Sequence, residues 1–296
     1  MPLISVLMPV YNCDAYVQAA IDSILTQTFR DFEFIIIDDG SKDRTAEIVK
    51  AAAARDPRIK VISRENRGIV PSLNEALDQA TGELIARMDG DDISLPDRFQ
   101  RQVDYLRAHP GCGLVGTQIM FMDPDGRPIA PMPNPVGHDE IVDTMMNGSE
   151  SVSHPTVLFR TAVARSINGY SNQYKHAEDI DFFLRMAEAT TVANMPDILL
   201  HYRQHAKSIG RTQTDAQAEA HYRAICDAAA RMGRPKPQAI ERRTYGNETD
   251  DHARWAWWAL QSRQLPSARF YARKVLAARP FSLESWRLAY CVMRGR

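Results

Sequence analysis

Over the first hundred positions, short apolar blocks alternate with stretches in which apolar residues recur at helical spacing. Residues 3–8 (Leu-Ile-Ser-Val-Leu-Met) read as a buried strand, and Val17, Ile21, Ile24 and Leu25 then mark a helix. Residues 33–37 (Glu-Phe-Ile-Ile-Ile) predict a second strand ending in Asp38-Asp39-Gly40. A helix follows over about 43–54, with Ser41 or Asp43 able to cap its free N–H groups. Residues 59–62 predict a third strand, Ile69, Val70, Leu73, Leu77 and Ala80 the next helix, and residues 83–88 a fourth strand running into Asp89. Beyond residue 110 the pattern loosens. Strands are expected at 113–121, 157–160 and 198–202, and a helix at 178–188, with Ile180, Phe183, Leu184 and Ala187 as its buried stripe. Residues 123–137 hold five prolines and two glycines and read as a long surface loop. From about 213 onward the chain reads as helical. Trp255, Trp258, Ala268, Ala272, Val275, Leu276, Trp286 and Ala289 suggest two or three amphipathic helices packed as hairpins, and 252–290 loosely resembles one tetratricopeptide unit.

Strand–helix alternation argues for an α/β domain with a mainly parallel central sheet flanked by helices, followed by a C-terminal helical extension. The expected division is a catalytic domain over 1–210 and a basic helical region over 211–296. In such sheets ligands sit outside the carboxyl ends of the strands. Three polar clusters fall there: Pro9-Val10-Tyr11-Asn12, Asp38-Asp39-Gly40-Ser41 and Asp89-Gly90-Asp91-Asp92.

Composition adds a charge asymmetry. The net charge is −1, yet residues 211–296 hold 16 Lys/Arg against 8 Asp/Glu, leaving the first 210 residues acidic. An acidic body suits a metal ion, and a basic tail suits an anionic polymer or a membrane face, or the two halves attract each other. Cys13, Cys112, Cys226 and Cys291 show no metal or disulfide spacing and read as reduced thiols of a cytosolic protein. No apolar run reaches the ~20 residues of a membrane span, and no secretory signal is expected at the N-terminus.

Each cluster has a bland and a sharp reading. Three carboxylates within four residues either face water or are neutralised by a divalent ion. Asp39 ends a strand before a helix, where it can cap or can meet a base or ribose. Asn66-Arg67-Gly68 makes a turn or touches a nucleotide. Asp179 sits in a helix's first turn, where the dipole favours an acid, or serves as a general base at a pocket rim. Alternation along a strand end would put His201, Arg203 and His205 on one side, and a neutral imidazole can ligate a metal.

Taken in order, these clusters resemble the family 2 glycosyltransferases of the GT-A fold over residues 3–210. The resemblance rests on Val6-Leu7-Met8-Pro9-Val10-Tyr11-Asn12, Ile37-Asp38-Asp39-Gly40-Ser41-Lys42-Asp43-Arg44-Thr45, Asn66-Arg67-Gly68 and Asp89-Gly90-Asp91-Asp92. It continues through His154-Pro155, Glu178-Asp179 and Tyr202-Arg203-Gln204-His205. No departure falls at a position expected to do chemistry. The resemblance implies an inverting, metal-dependent transfer from a nucleotide sugar, most often a UDP-sugar, to a saccharide or lipid-linked saccharide hydroxyl in bacterial cell-surface polysaccharide synthesis. It further implies that Pro9, Val10, Tyr11 and Asp39 line the base, that Asn66 and Arg67 lie near the nucleoside, and that Asp89 and Gly90 approach ribose or sugar. Asp91, with His205, would hold Mn²⁺ or Mg²⁺; Asp179 would be the base; Glu178 and His154 would lie on the acceptor side. Asp92 reads as structural.

The implied location is the cytoplasm, with peripheral contact at the inner membrane through the basic helices, where Trp255, Trp257 and Trp258 are either interfacial or helical core; no nucleic acid partner is expected. A nucleotidyltransferase is the rival enzyme, but it would carry a Gly-rich basic loop where this chain has Tyr11-Asn12-Cys13-Asp14. A phospho-receiver domain is too short, and an idle nucleotide-sugar scaffold would be expected to lose Asp91, Asp179 or His205.

Overall fold

The computed structural model describes residues 1–205, 214–237 and 246–295. Strands β1 (Ile4–Val10), β2 (Phe32–Asp38), β3 (Ile59–Ser63) and β4 (Leu84–Arg87) form a parallel half-sheet in the order β3-β2-β1-β4. β2 is buried along its whole length because helices cover both faces. Val6, Met8, Phe34 and Ile36 point to one side, where α1 (Val17–Leu25) and α2 (Thr45–Arg55) bury Ile21, Ile24 and Val49. Leu7, Ile35 and Ile37 point to the other, against Leu73, Ala76 and Leu77 of α3 (Ile69–Gln79). The period of two thus splits one apolar run between two cores. Asp43 accepts the Thr45 N–H at the start of α2 and Ser41 does not cap it.

The second half of the sheet is mixed. It comprises β5 (Ile93–Ser94), β6 (Cys112–Met122), β7 (Pro128–Met132), β8 (Leu158–Arg160) and β9 (Thr191–Arg203). β8 joins β4 antiparallel, β6 joins β8 antiparallel, β9 runs parallel to β6, and β5 lies antiparallel on β9. The α/β architecture is the expected one, with parallel pairing throughout only in its first half. The strand expected at 198–202 begins seven residues earlier, at Thr191. Helices α4 (Arg98–Ala108), α5 (His138–Met146), α6 (Thr161–Ser166) and α7 (Glu178–Ala189) complete the layers.

One expectation is corrected. Residues 123–137 are not simply a surface loop: they turn at Asp123–Arg127 and return as β7 alongside β6. Pro128 and Pro131 are tolerated because β7 is an edge strand, paired to β6 alone. Its Ile129 and Ala130 are buried.

Helix α8 (Thr214–Arg231) lays Ala224, Ile225 and Ala228 into the core that holds Phe182 and Met186 of α7. The boundary expected at residue 210 lies outside the described residues. Helices α9 (Glu248–Gln261), α10 (Leu265–Ala278) and α11 (Leu283–Arg294) gather a third core around Trp255, Tyr271, Val275 and Leu288. β7 supplies Ile129 and Ala130 to it. Asn247 and Asp250 form a reciprocal capping box at the start of α9. Trp255 is buried, and Trp257 and Trp258 pack half-buried on the same core, so these tryptophans are helical core.

Candidate active site

The carboxyl ends of β1, β2 and β4 and the end of β9 meet at one edge. Val10 ends β1 opposite Asp38, and the Asp39 N–H donates to the Val10 carbonyl (2.9 Å). Pro9 and Val10 lie within β1, and Tyr11 stands half-exposed (50%) beyond them. Asn12 knits the first two loops together: its N–H donates to Ser41 Oγ (3.1 Å), and its side-chain oxygen accepts the Lys42 N–H (2.7 Å).

Asp39 is buried, and its carboxylate accepts the N–H groups of Arg67 and Gly68, both at 2.9 Å, while pairing with Arg64. Arg64 is anchored in turn on Glu75 (2.6 Å). Asp39 therefore holds the 64–68 turn against the β2 loop and leaves the Asn66 and Arg67 side chains exposed at the edge. Gly40 permits this approach: its φ is +76°, and a Cβ there would stand 2.7 Å from the Asn66 nitrogen.

The acidic run leaves β4 as a tight turn packed on β1, for a Cβ on Gly90 would meet Val10 Cγ1 at 2.9 Å and Cys13 Sγ at 3.0 Å. One carboxylate oxygen each from Asp89, Asp91 and Asp92 lie within 4.8 Å of one another. Asp89 pairs with Arg87, a cation buried in β4. Asp91 Oδ2 lies 2.8 Å from His205 Nε2. Asp92 is buried; its Oδ1 accepts the Arg203 N–H (2.8 Å), and burial and its two acidic neighbours push its carboxyl well above the usual range. Arg203 also donates from Nε to the Asp91 carbonyl (2.7 Å) and stacks over Tyr16. Thus β9 clasps the acidic turn from a position over a hundred residues away. His201 stands in β9 opposite Ile93, half-buried, and is not joined to the acids by any hydrogen bond the structure shows. Residues 206–208, the end of that motif, lie outside the described residues.

The fourth group comes from the start of α7. Asp181 is tied to Arg185 (2.6 Å), which also donates to the Ile167 and Gly169 carbonyls. Asp179 is half-buried; the Asp89 carboxyl is raised first by burial, against the pull of Arg87, then by Asp91, with a smaller push from Asp179. Glu178 is buried, its Oε2 has no hydrogen-bond partner, and burial followed by the Asp179 charge pushes it up to about 7. His154 is buried, with Nε2 2.9 Å from Tyr170 Oη and its ring edge-on to Phe183. Burial and the charge of Arg87 push it well below the usual imidazole value, so it is neutral.

The structure therefore gathers Asp89, Asp91, Asp92 and His205 in one cluster, with Asp179 in electrostatic reach and Asp39, Asn66 and Arg67 on the neighbouring strand end. Arg87, Arg64, Tyr170 and Tyr16 were not singled out by pattern. Arg87 carries a legible signal, a charge inside an otherwise apolar strand, which must find a partner when buried. The donor set fits a divalent ion: several carboxylate oxygens with one imidazole suit Mn²⁺ or Mg²⁺, and the buried Asp92 Oδ2, without a hydrogen-bond partner, leaves acceptor capacity unused.

A family model described as Glycosyl transferase family 2 matches residues 5–167. Putative glycosyltransferase EpsE of Bacillus subtilis is 36% identical over 63% of this chain and 67% of its own. O-antigen biosynthesis glycosyltransferase WbnJ of Escherichia coli is 36% identical over 73% of this chain and 84% of its own. In structure the chain is similar to S. aureus TarS 1-349 in complex with UDP-GlcNAc, with a TM-score of 0.63 over 98% of this chain and 79% of that one at 18% identity, a likeness of fold.

Proposed function

Because this chain belongs to glycosyl transferase family 2, we propose that it is an inverting, metal-dependent enzyme moving a hexosyl or N-acetylhexosaminyl group from a UDP-sugar to a hydroxyl of a saccharide or lipid-linked saccharide. The observation that supports this best is the meeting of the Asp89–Asp92 turn, His205 and Asp179 at the sheet edge that also holds Asp39. WbnJ's role in O-antigen biosynthesis and the UDP-GlcNAc held by TarS point to bacterial surface polysaccharide and a uridine donor. The same reading puts the enzyme in the cytoplasm at the inner membrane face. Among the described residues no helix is long and apolar enough to cross a membrane.

In this reading Val10, Tyr11 and Asp39 bound the base, with Pro9 shaping the strand that carries them. Asn66 and Arg67 flank the nucleoside, and Asp89 and Gly90 meet ribose or sugar hydroxyls. Asp91 and His205 hold Mn²⁺ or Mg²⁺, which when bound neutralises charge developing on the diphosphate. Asp179 takes the proton of the acceptor hydroxyl as its oxygen bonds to the anomeric carbon and the nucleoside diphosphate departs with the bonding pair. One displacement inverts the centre, so an α-linked donor gives a β-linked product. Glu178 and the His154–Tyr170 pair form the wall beside that base on the acceptor side.

The test is a UDP-sugar panel scored for Mn²⁺-dependent hydrolysis and transfer with Asp179→Asn and Asp91→Ala. Asp179→Asn should lower transfer roughly 10²–10⁴-fold and keep donor binding, whereas Asp91→Ala should lose both. Wild-type transfer by Asp179→Asn, or no nucleotide-sugar binding with metal present, sinks the assignment.

A further inference from the structure

The third core leaves one helix face uncovered. On α11, Leu283 (87% exposed), Trp286 (56%), Tyr290 (52%) and Met293 (72%) recur at intervals of three and four, and Phe281 just before the helix is 99% exposed. The opposite stripe, Ser285, Leu288 and Val292, is buried against α9 and α10, so α11 is amphipathic on its inner side and apolar again on its outer side. Scattered exposed hydrophobes need no explanation, but five large ones on one turn and one helix face do. The Trp286 indole N–H is satisfied by the Pro280 carbonyl (2.8 Å), which leaves the outward ring with no polar atom in need of water.

The charge around this stripe selects its partner. From 265 to 295 the exposed charged residues are Arg269, Arg273, Lys274, Arg287 and Arg294, against Glu284 alone. Arg287 and Arg294 lie one position along from Trp286 and Met293, and the Arg294 guanidinium stands 5.1 Å from the Tyr290 ring centre. Two such faces brought together would oppose cation to cation, which disfavours a second copy of this chain. A surface of buried acyl chains under anionic headgroups satisfies both features, since aromatic rings settle at the interface and arginine stems reach along apolar surface to the phosphates. A cleft of about 420 Å³ between α11 and the rest of the third core is lined by Ser282, Ser285, Leu288 and Arg287, the acid Glu284, and Arg279, which pairs with Asp250.

We infer that the outer face of α11 is a docking surface for an anionic lipid bilayer. This rests on the membrane-side location in the reading above but not on its chemistry, so vesicle binding and sugar transfer can fail separately. Trp255, Trp257 and Trp258, for which the sequence left an interfacial or a core position open, lie in the third core and are not the contact; Trp286 is.

The experiment is co-sedimentation of the full chain with vesicles of phosphatidylcholine alone and with 30% phosphatidylglycerol, at low and high salt, beside light-scattering mass measurement. Binding should require the anionic lipid and weaken with salt. Trp286→Ala with Tyr290→Ala should lower the partition coefficient at least ten-fold, and Arg287→Gln with Arg294→Gln roughly thirty-fold. Both pairs should leave thermal stability and transfer to a soluble acceptor unchanged, because these side chains are exposed and α11 packs into the third core rather than against the acidic turn. No anionic-vesicle binding by the wild type, binding undiminished in both variants, or a concentration-dependent dimer abolished by Trp286→Ala overturns the inference.

Discussion

Replacing Glu178 by Gln should make the protein more stable at alkaline pH while leaving it nearly unchanged in acid. Glu178 is buried beside Asp179, and its Oε2 meets no donor. Burial first, and the Asp179 charge second, raise it from 4.5 to about 7, against weaker downward pulls from the N–H groups of Glu178 and His176 and from Arg87. A carboxyl held higher in the folded than in the unfolded chain binds an extra proton in the native state between those two values. Native stability therefore falls as pH climbs from 4.5 to about 7, and the whole penalty is present above that. The gap corresponds to about 3 kcal/mol. Glutamine keeps the accepting oxygen for the two N–H groups and removes the ionisation. Urea unfolding of both proteins in metal-free buffer at pH 5, 6, 7 and 8 reads the effect. The stability difference, Gln minus Glu, should be below about 1 kcal/mol at pH 5 and grow to about 3 kcal/mol at pH 8. A difference that stays flat across this range would show that Glu178 is ionised in the folded state throughout, and the burial argument would fail.

Two further substitutions probe the supports of the site. Tyr271→Phe removes the 2.6 Å hydrogen bond from α10 to the buried Asp123 carboxylate, which keeps the Arg127 N–H (2.8 Å) and guanidinium (3.0 Å). Because the acceptor is charged but stays partly satisfied, the loss should be about 1.5–2 kcal/mol by denaturant unfolding; a change below a few tenths would mean that the helical unit does not lean on this turn. Gly40→Ala forces a side chain into φ +76° and against the Asn66 nitrogen. It should cost at least about 1–2 kcal/mol and raise the donor KM more than it lowers kcat, by pushing the backbone of Arg67 and Gly68 off Asp39 and moving the Asn66 and Arg67 side chains with it; unchanged donor affinity in a calorimetric titration would refute that role for the turn.

The first half of the fold was legible because its signals are local. β1 to β4 are each followed by a helix-spaced segment or a polar cluster, and β1, β2 and β3 lie side by side in the sheet in sequence order, with β4 on the other side of β1. In the second half the strands at 113–121 and 157–160 and the helix at 178–188 were legible as elements, but their pairing was not, because β8 meets β4 across more than seventy positions; β5, with only two residues, left no pattern. The proline count hid β7, whose strand character depends on occupying an edge. At the site, residue identities were readable while partners were not. Asp39 shows as a strand-end acid, yet nothing local announces that its oxygens hold the backbone of 67 and 68. His154 is visible as part of a motif, while its neutrality follows from burial next to Arg87, 67 positions away.

The same long-range partners support the metal-holding reading of the acidic run that we propose. Three carboxylates with oxygens within 4.8 Å repel one another. A turn that merely faced water would relieve this by solvation and would need no supports. Here Asp92 is 1% exposed, and each acid has a partner from another part of the chain or from inside the strand: Arg87 for Asp89, His205 for Asp91, and the Arg203 N–H for Asp92. Arg203 then extends the clasp to the Asp123 and Pro124 carbonyls, and through Asp123 to Tyr271 of the helical unit. Such an arrangement holds the carboxylates in fixed mutual positions before any cation arrives, which lowers the ordering cost of binding one. Asp92, whose Oδ1 is committed to the backbone of β9, closes the clasp, and in the proposed reading Asp91, half-exposed with His205 beside it, is the acid left for an ion.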